Sequence, residues 1–506
     1  MQTSRTKNSI RNVTFSTISK IIYLIMNFVC RTIFIKILGN EYVGLNGLFT
    51  NILGVFSLVD LGIGSAIVFR LYKPIAQEDK EKEKSLILFY KQIYRIIGII
   101  IAALGVLLIP FLDKIVGENN INENITVIYV IFLIKTVILY FLYYKKDFVI
   151  AHQKEYIVSI VELSVCIIQN ILEIIFLILT HNYIVYLIIQ MSTTILERLV
   201  ISIIANKLYP YIKEKNNSNL SKQEKKEIFS DVKALAFYRT GYILSDSTDN
   251  IIISMFVGLS QVGLLSNYLM VVKAIILLAK SAFNSLTASI GNLNTIKNNN
   301  KKEEVYYKIL HLSFLVYGYI SIATVLLLNR FITIWIGSKF LLNFEISIIL
   351  GINMYIDGMR FVSETYRNTL GLFKKGRYIP LISSAINVVL SIIFVQYLGI
   401  FGVLLATALS RILLIIWYDP YIIHKYEFDS SFKKFGLRYL YYTIILIITF
   451  CICYKITAFI NISGILGFLI CGIIITLIVG FIFLLSTYKL SLSMLYDIKN
   501  KKTKLR

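Results

Sequence analysis

Several residue types that mark soluble or catalytic proteins are scarce in this chain of 506 residues. It has 5 prolines, 5 cysteines, 2 tryptophans and 4 histidines, and only 16% of its residues are charged. The few prolines and the lack of any Gly/Ser-rich tract argue against a soluble domain on a linker. All five cysteines fall within apolar runs, which favours burial in helices over a disulfide or a metal site.

Motifs for nucleotide binding and catalysis are also missing. The sequence contains no G-x-x-x-x-G-K-[ST] loop for ATP phosphates and no H-E-x-x-H. Its histidines lie at loops or helix ends without the spacing of metal ligands, and no Ser/His/Asp set can be identified. We therefore predict a protein that is not an enzyme, with no catalytic residue, no metal and no cofactor.

Apolar residues dominate what is present. Hydrophobic residues make up 57% of the chain and the mean hydropathy is +0.72, values outside the range of soluble proteins. The apolar runs are long enough to cross a bilayer, and the first is too long for the core of a signal peptide. They predict an all-α integral membrane protein with about 14 transmembrane helices, at 12–38, 43–71, 90–112, 123–144, 156–180, 183–206, 229–257, 261–290, 306–328, 343–370, 379–397, 400–423, 438–457 and 463–487.

The net charge of +23 would suit nucleic acid if the basic residues formed one surface. Instead, alternate loops between the predicted helices hold about 35 Lys and Arg residues on one side and 4 on the other. This is the positive-inside distribution, so we predict a membrane protein with both termini in the cytoplasm and no nucleic-acid partner. The external loops are short, which argues against a membrane enzyme acting on an external substrate.

The loops also divide the chain. The longest cytoplasmic connection, 207–228, is polar and separates an N-lobe of six helices (1–206) from a C-lobe of six (229–424). Helices 13 and 14 and a basic tail follow at 425–506. A weak repeat relates the lobes at an offset of about 219 residues, because the segment 38–45 (LGNEYVGL) resembles 257–264 (VGLSQVGL). Each segment lies between the first two helices of its lobe, where small residues allow close helix approach.

Charged residues inside the predicted helices are the candidate functional residues, because each costs about 2.5–3.5 kcal/mol at the bilayer centre. On the tenth helix the charges recur every three or four residues and so share one face. Such charges either form structural ion pairs or line a hydrated cavity, and the excess of cations suits an anion such as phosphate. The cationic candidates for substrate binding are Arg31, Lys135, Arg198, Arg239, Lys273, Arg360, Arg367 and Arg411. The acidic candidates, for ion coupling or charge pairing, are Asp60, Asp246, Asp249, Asp357 and Glu364.

Three segments carry a family resemblance. The stretch from Arg31 to Leu45 with 56–64 (FSLVDLGIG), the stretch from Asp246 to Gly258, and 397–402 (YLGIFG) resemble Wzx-type polysaccharide flippases. These belong to the multidrug/oligosaccharidyl-lipid/polysaccharide exporter superfamily, which also contains drug exporters and lipid II flippases. The resemblance implies their fold of two six-helix lobes. Lipid II flippases keep essential arginines on helices one, two and eight, which corresponds here to Arg31, Arg70 and Lys273.

The resemblance also implies a function. Undecaprenyl-diphosphate-linked oligosaccharide would cross the membrane by alternating access of the lobes, driven by Na⁺, H⁺ or the membrane potential, for capsule or another surface polysaccharide. Partners would be this glycolipid, the bilayer, and the polymerase and glycosyltransferases of the pathway. Two alternatives remain open: a drug/cation antiporter of the same superfamily, and a membrane polymerase or ligase acting on the glycolipid.

Overall fold

The computed structural model describes residues 2–57, 63–214, 216, 220–294, 298–372, 375–376, 378–428 and 430–488. Within these ranges the side chains of residues 2–18, 65, 231–240, 242–243, 245–246, 285, 288–289, 292 and 294 are not described. Helices account for nearly all of the described residues, and no strand occurs among them. The predicted all-α membrane fold is therefore confirmed.

Seventeen α-helices are numbered in chain order within the described ranges. Those of the first half are α1 (Gln2–Leu38), α2 (Asn40–Phe56), α3 (Ile63–Gln77), α4 (Lys80–Leu108), α5 (Leu112–Val116), α6 (Ile125–Leu142), α7 (Tyr144–Ala151), α8 (Glu155–Thr180), α9 (Tyr183–Leu208) and α10 (Lys222–Phe256). The second half contains α11 (Leu259–Asn294), α12 (Asn299–Trp335), α13 (Phe344–Thr369), α14 (Ile379–Ser410), α15 (Ile416–Tyr426), α16 (Phe432–Ala458) and α17 (Gly464–Ser486). A π-helical turn, Arg411–Ile415, joins α14 to α15.

The helices follow the predicted spans. Among the described residues, 11 helical segments are long and apolar enough to cross a membrane. One of them, Ile379–Tyr426, covers two predicted spans, because the chain turns at Gly399, where φ is 55°. The two predicted spans outside these segments, 43–71 and 229–257, fall on α2 with α3 and on α10.

The chain divides into two compact units, 1–263 and 264–506. In the first unit α1 packs on α8, α8 on α9, and α6 against both α4 and α9. The short helix α7 packs on α3, and α10 lies along α2. This packing encloses the polar faces of α1, α6, α8 and α9 and leaves large apolar side chains on the outside, as expected for lipid-facing helices.

The two segments of the sequence repeat meet within the first unit. A Cβ atom on Gly44 would overlap the carbonyl oxygen of Leu259, and one on Gly263 would overlap the carbonyl oxygen of Asn40. The contact is reciprocal, because position 40 corresponds to 259 and position 44 to 263 at the offset of the repeat. The Asn40 side chain also donates a hydrogen bond to the Ser260 carbonyl at 2.6 Å. Glycine is thus required at both positions by the approach of the backbones.

In the second unit α13 is the most enclosed helix and packs on α12, α14 and α15. The helices α16 and α17 pair with each other and with α12. Arg330, near the end of α12, donates hydrogen bonds to the carbonyls of Ile460 and Ile462 at 3.1 Å each. These bonds attach the turn between α16 and α17 to α12.

Candidate functional site

Polar side chains from four helices form a layer inside the first unit. Arg31 lies seven residues before the end of α1 and Glu173 seven residues before the end of α8, while Gln190 lies seven residues after the start of α9. Helices rise about 1.5 Å per residue, so all three lie about 10 Å from the same end of the helices. Lys135 on α6 reaches this layer through Gln190, to which its Nζ donates a hydrogen bond at 2.6 Å.

Glu173 is the acidic member of this layer and is 2% exposed. It accepts hydrogen bonds from Cys30 Sγ at 3.2 Å and from Gln169 Nε2 at 2.7 Å. No residue in the described ranges forms an ion pair with it, although Lys135 lies within electrostatic reach. A buried carboxyl group whose hydrogen-bond donors are neutral is suited to exchanging a proton or a small cation.

Arg31 is the other cation of this layer and is partly buried on α1. The hydroxyl groups of Tyr183 and Tyr186 and the Cys30 thiol lie within its electrostatic reach. Neither Arg31 nor Lys135 forms an ion pair with a described carboxylate. The layer therefore holds two cations that remain available to an anion.

A second polar layer lies nearer the opposite end of α8 and α9. Arg198 approaches Glu197 at 3.3 Å and Glu162 at 3.8 Å, and its guanidinium lies 5.1 Å from the centre of the Tyr143 ring. Lys146 forms an ion pair with Glu162. Arg198 is thus compensated by two carboxylates, unlike Arg31.

The charged face of α13 forms ion pairs within the second unit. Arg360 donates to Glu364 at 2.8 Å and lies 4.0 Å from Asp357. Asp357 in turn accepts from Arg411 at 3.0 Å. Arg411 lies at the first position of the π-helical turn, a helix distortion that is frequent at functional sites.

One pair in this unit is fully enclosed. Arg367 donates to Asp419 on α15 at 2.5 Å, and each side chain is 2% exposed. Arg360, Arg367 and Arg411 are therefore each matched by a carboxylate. The predicted common face of α13 is present, and most of its charge is neutralised within the second unit.

The remaining predicted residues are dispersed. Lys273 is exposed in the middle of α11, and Asp249 is partly buried on α10. Arg70, near the end of α3, forms an ion pair with Glu227 at 3.1 Å. Asp60 lies outside the described residues, as do the side chains of Arg239 and Asp246 on α10. No group of His, Cys, Asp and Glu that would hold a metal occurs in the described ranges.

The sequence-based set omitted several residues that the structure places in these clusters, among them Glu173, Gln190 and Asp419. Glu173 is an acidic residue well inside a predicted span, a signal that was present in the sequence. Gln190 is uncharged, and only its contact with Lys135 shows its role. Asp419 lies four residues from the end of its predicted span, a position typical of an interfacial charge, yet it is buried against Arg367.

Comparison with known proteins identifies the family and the fold. The family model described as "Polysaccharide biosynthesis protein" matches residues 9–287, more than half of the chain. No curated protein sequence matches.

Among the similar solved structures, three cover most of this chain. The lipid II flippase MurJ in an inward closed conformation has a TM-score of 0.64 and 18% identity, over 94% of this chain and 99% of that one. An inward-facing multidrug resistance MATE family transporter of the MOP superfamily has a TM-score of 0.61 and 15% identity, over 78% of this chain and 91% of that one. A mutant of the Vibrio cholerae MATE transporter VcmN has a TM-score of 0.53 and 13% identity, over 82% of this chain and 96% of that one. The fold is thus that of MATE transporters and MurJ.

Proposed function

Because this chain belongs to the polysaccharide biosynthesis protein family, we propose that it is a flippase for undecaprenyl-diphosphate-linked oligosaccharide units, supplying capsule or another surface polysaccharide. It would act in the bacterial cytoplasmic membrane with both termini inside. Its partners would be the glycolipid, the bilayer, and the polymerase and glycosyltransferases of the pathway. The observation that supports this best is the pair of cations, Arg31 and Lys135, without a carboxylate ion-pair partner among the described residues.

A lipid diphosphate needs such cations. Removing a diphosphate from water is costly unless its charge is met by donors, and Arg supplies a planar pair of N–H groups to a phosphate. Arg31, Lys135 and the exposed Lys273 would contact the diphosphate, and Arg239 is a further candidate. Among the arginines bound to carboxylates, Arg367 would hold α13 to α15, Arg411 would hold the π-helical turn to α13, and Arg360 would stabilise α13 itself.

Transport would proceed by alternating access. The polar head group would enter from the cytoplasm and leave outside, while the polyprenyl chain stays in the bilayer. The buried carboxyl group of Glu173 would bind a proton or Na⁺ and link that gradient to the cycle; Asp357 and Asp249 are further candidates for this role. The membrane potential would contribute as well, because moving one charge across 100 mV is worth about 2.3 kcal/mol.

Replacement of the two unpaired cations tests the proposal. We expect Arg31→Ala and Lys135→Ala each to reduce surface polysaccharide at least tenfold at equal protein level, because a lost charge-assisted contact costs about 1.5–3 kcal/mol. Lys36→Ala is the matched control, since Lys36 is an exposed cation on the same helix as Arg31. Wild-type output from both variants would reject these residues as the binding site.

A second function, drug/cation antiport, is favoured by the burial of Glu173. An antiporter would lose activity in Glu173→Gln and retain it in Arg31→Ala. A flippase needs the cation, and so would lose activity in Arg31→Ala. Glycolipid transfer between the leaflets of proteoliposomes, compared with efflux of a cationic dye, separates the two functions. Polymer growth in the same vesicles would instead indicate a polymerase or ligase.

A further inference from the structure

Cations gather on the first unit beside the middle of α4, at the start of α7 and in the segment that follows α9, away from the polar layer that contains Arg31. The rim cluster consists of Lys91, Arg95, Tyr144, Lys145 and Lys213. The Lys91 Nζ lies 6.0 Å from the centre of the Tyr144 ring, and the Lys145 Nζ lies 5.7 Å from it. Arg95 is within electrostatic reach of the same tyrosine. Two ammonium groups thus flank one ring, with a guanidinium close by.

Lys145 is held in place by neutral groups. Its Nζ donates hydrogen bonds to Ser202 Oγ at 2.8 Å and to Asn206 Oδ1 at 3.0 Å. Burial lowers the pKa of Lys145, and the positive charges of Lys91 and Lys213 lower it further. The rim cluster therefore contains cations that repel one another, a repulsion that a bound anion would relieve.

Nearby carboxylates do not supply this anion, because other side chains bind them. Glu162 pairs with Lys146, Glu214 lies 3.7 Å from Lys84, and Asp147 accepts a hydrogen bond from Tyr94 at 3.2 Å. Glu83 accepts from Tyr211 at 2.5 Å and lies 3.3 Å from His152.

Apolar helix surface continues directly from the rim cluster. Lys91, Arg95 and Ile99 lie four residues apart on α4 and so share one face, and Ile99 is 61% exposed. On α9, Ile203 is 65% exposed beside the Ser202 that binds Lys145. A cationic cluster bordered by exposed apolar helices matches a molecule that joins an anionic head group to hydrocarbon chains.

We propose that the rim cluster is a binding site for the head group of an anionic glycerophospholipid of the cytoplasmic leaflet, with the acyl chains lying along α4 and α9. The Lys145 ammonium and the partly buried Lys91 contact the phosphate, while Arg95 and Lys213 attract it from the periphery. The site is separate from the transport residues and does not depend on the proposed substrate.

The test compares two double variants of the full-length protein, each lacking two positive charges. Lys91→Gln/Lys213→Gln alters the rim cluster, and Lys222→Gln/Lys226→Gln alters two exposed lysines at the start of α10. Native mass spectrometry with added phosphatidylglycerol, phosphatidylcholine or undecaprenyl diphosphate measures the lipid that the protein retains. We expect the wild type to prefer phosphatidylglycerol. The rim variant should bind it about thirtyfold more weakly, since each cation near an anionic head group contributes about a fivefold factor.

The control variant should bind phosphatidylglycerol as tightly as the wild type does. Addition of 0.5 M salt should weaken the binding of this lipid to both proteins. Size-exclusion profiles verify that each variant is folded. Equal phosphatidylglycerol affinity in the two variants would overturn the proposal. The proposal would also fail if the rim variant bound only undecaprenyl diphosphate more weakly, because the cluster would then be part of the substrate-binding site. Surface polysaccharide, measured separately, reports on the flippase function.

Discussion

At the scale of single residues, buried charge is compensated in two different ways. The arginines of α13 and Arg411 have carboxylate partners, whereas Arg31 and Lys135 have neutral ones. A pair enclosed on all sides contributes to the packing of its own helices. A cation bound only to neutral groups keeps most of its electrostatic potential and can attract an anionic ligand. This difference, which is invisible in the sequence, distinguishes structural charges from candidates for binding.

The enclosed pair provides a stability test at this scale. We expect Asp419→Asn to lower the free energy of unfolding by about 3–5 kcal/mol, because it leaves the Arg367 charge buried without a counterion. Asp357 is 26% exposed, so Asp357→Asn should lower the free energy of unfolding by about 1 kcal/mol or less. Thermal unfolding in detergent measures both. If Arg367→Met/Asp419→Leu is not more stable than Asp419→Asn, the uncompensated charge is not the cause.

Asp147, on the short helix α7, gives a pH-dependent prediction. Burial raises the pKa of Asp147 to about 6, against a weaker lowering by the Tyr94 hydrogen bond and the charges of Lys146 and Arg198. The folded protein therefore binds more protons than the unfolded chain between about pH 4 and 6, and this residue's contribution to stability falls as the pH rises through that range.

We expect the melting temperature of Asp147→Asn, relative to the wild type, to rise between pH 4.5 and pH 7.5. The amide oxygen can still accept from Tyr94 but cannot ionise. A difference between variant and wild type that is independent of pH would contradict the assignment.

At the scale of helices, the contact between α2 and the start of α11 depends on two residues without side chains. A methyl group at Gly44 would overlap the backbone of Leu259, so Gly44→Ala should lower the melting temperature and reduce transport. In an open helical position the same change is neutral or stabilises by about 0.5–1 kcal/mol. Gly480 on α17 is that control, because a Cβ atom there would have no neighbouring atom within 4 Å. Equal melting temperatures for the two variants would exclude a tight contact.

Across the whole molecule, sequence patterns predicted the helices well and the charge pairing poorly. Spans follow from hydropathy because lipid forces every backbone group into a helix, and the turn at Gly399 followed from the short loop at 398–399. The face shared by Asp357, Arg360 and Glu364 followed from helical periodicity. The π-helical turn at Arg411, however, carries no distinct sequence signal, and the partner of Arg367 is 52 residues away in the chain. Pairing of this kind depends on how helices are arranged, which local patterns do not encode.

The reciprocal glycine contact links the substitutions that the segments 38–45 and 257–264 can accept. The Leu259 carbonyl, which leaves no room for a side chain at position 44, lies four residues before Gly263. The Asn40 carbonyl, which leaves no room for a side chain at position 263, lies four residues before Gly44. A side chain added to either segment would therefore displace the backbone of the other, so the two glycines are coupled by mutual steric exclusion.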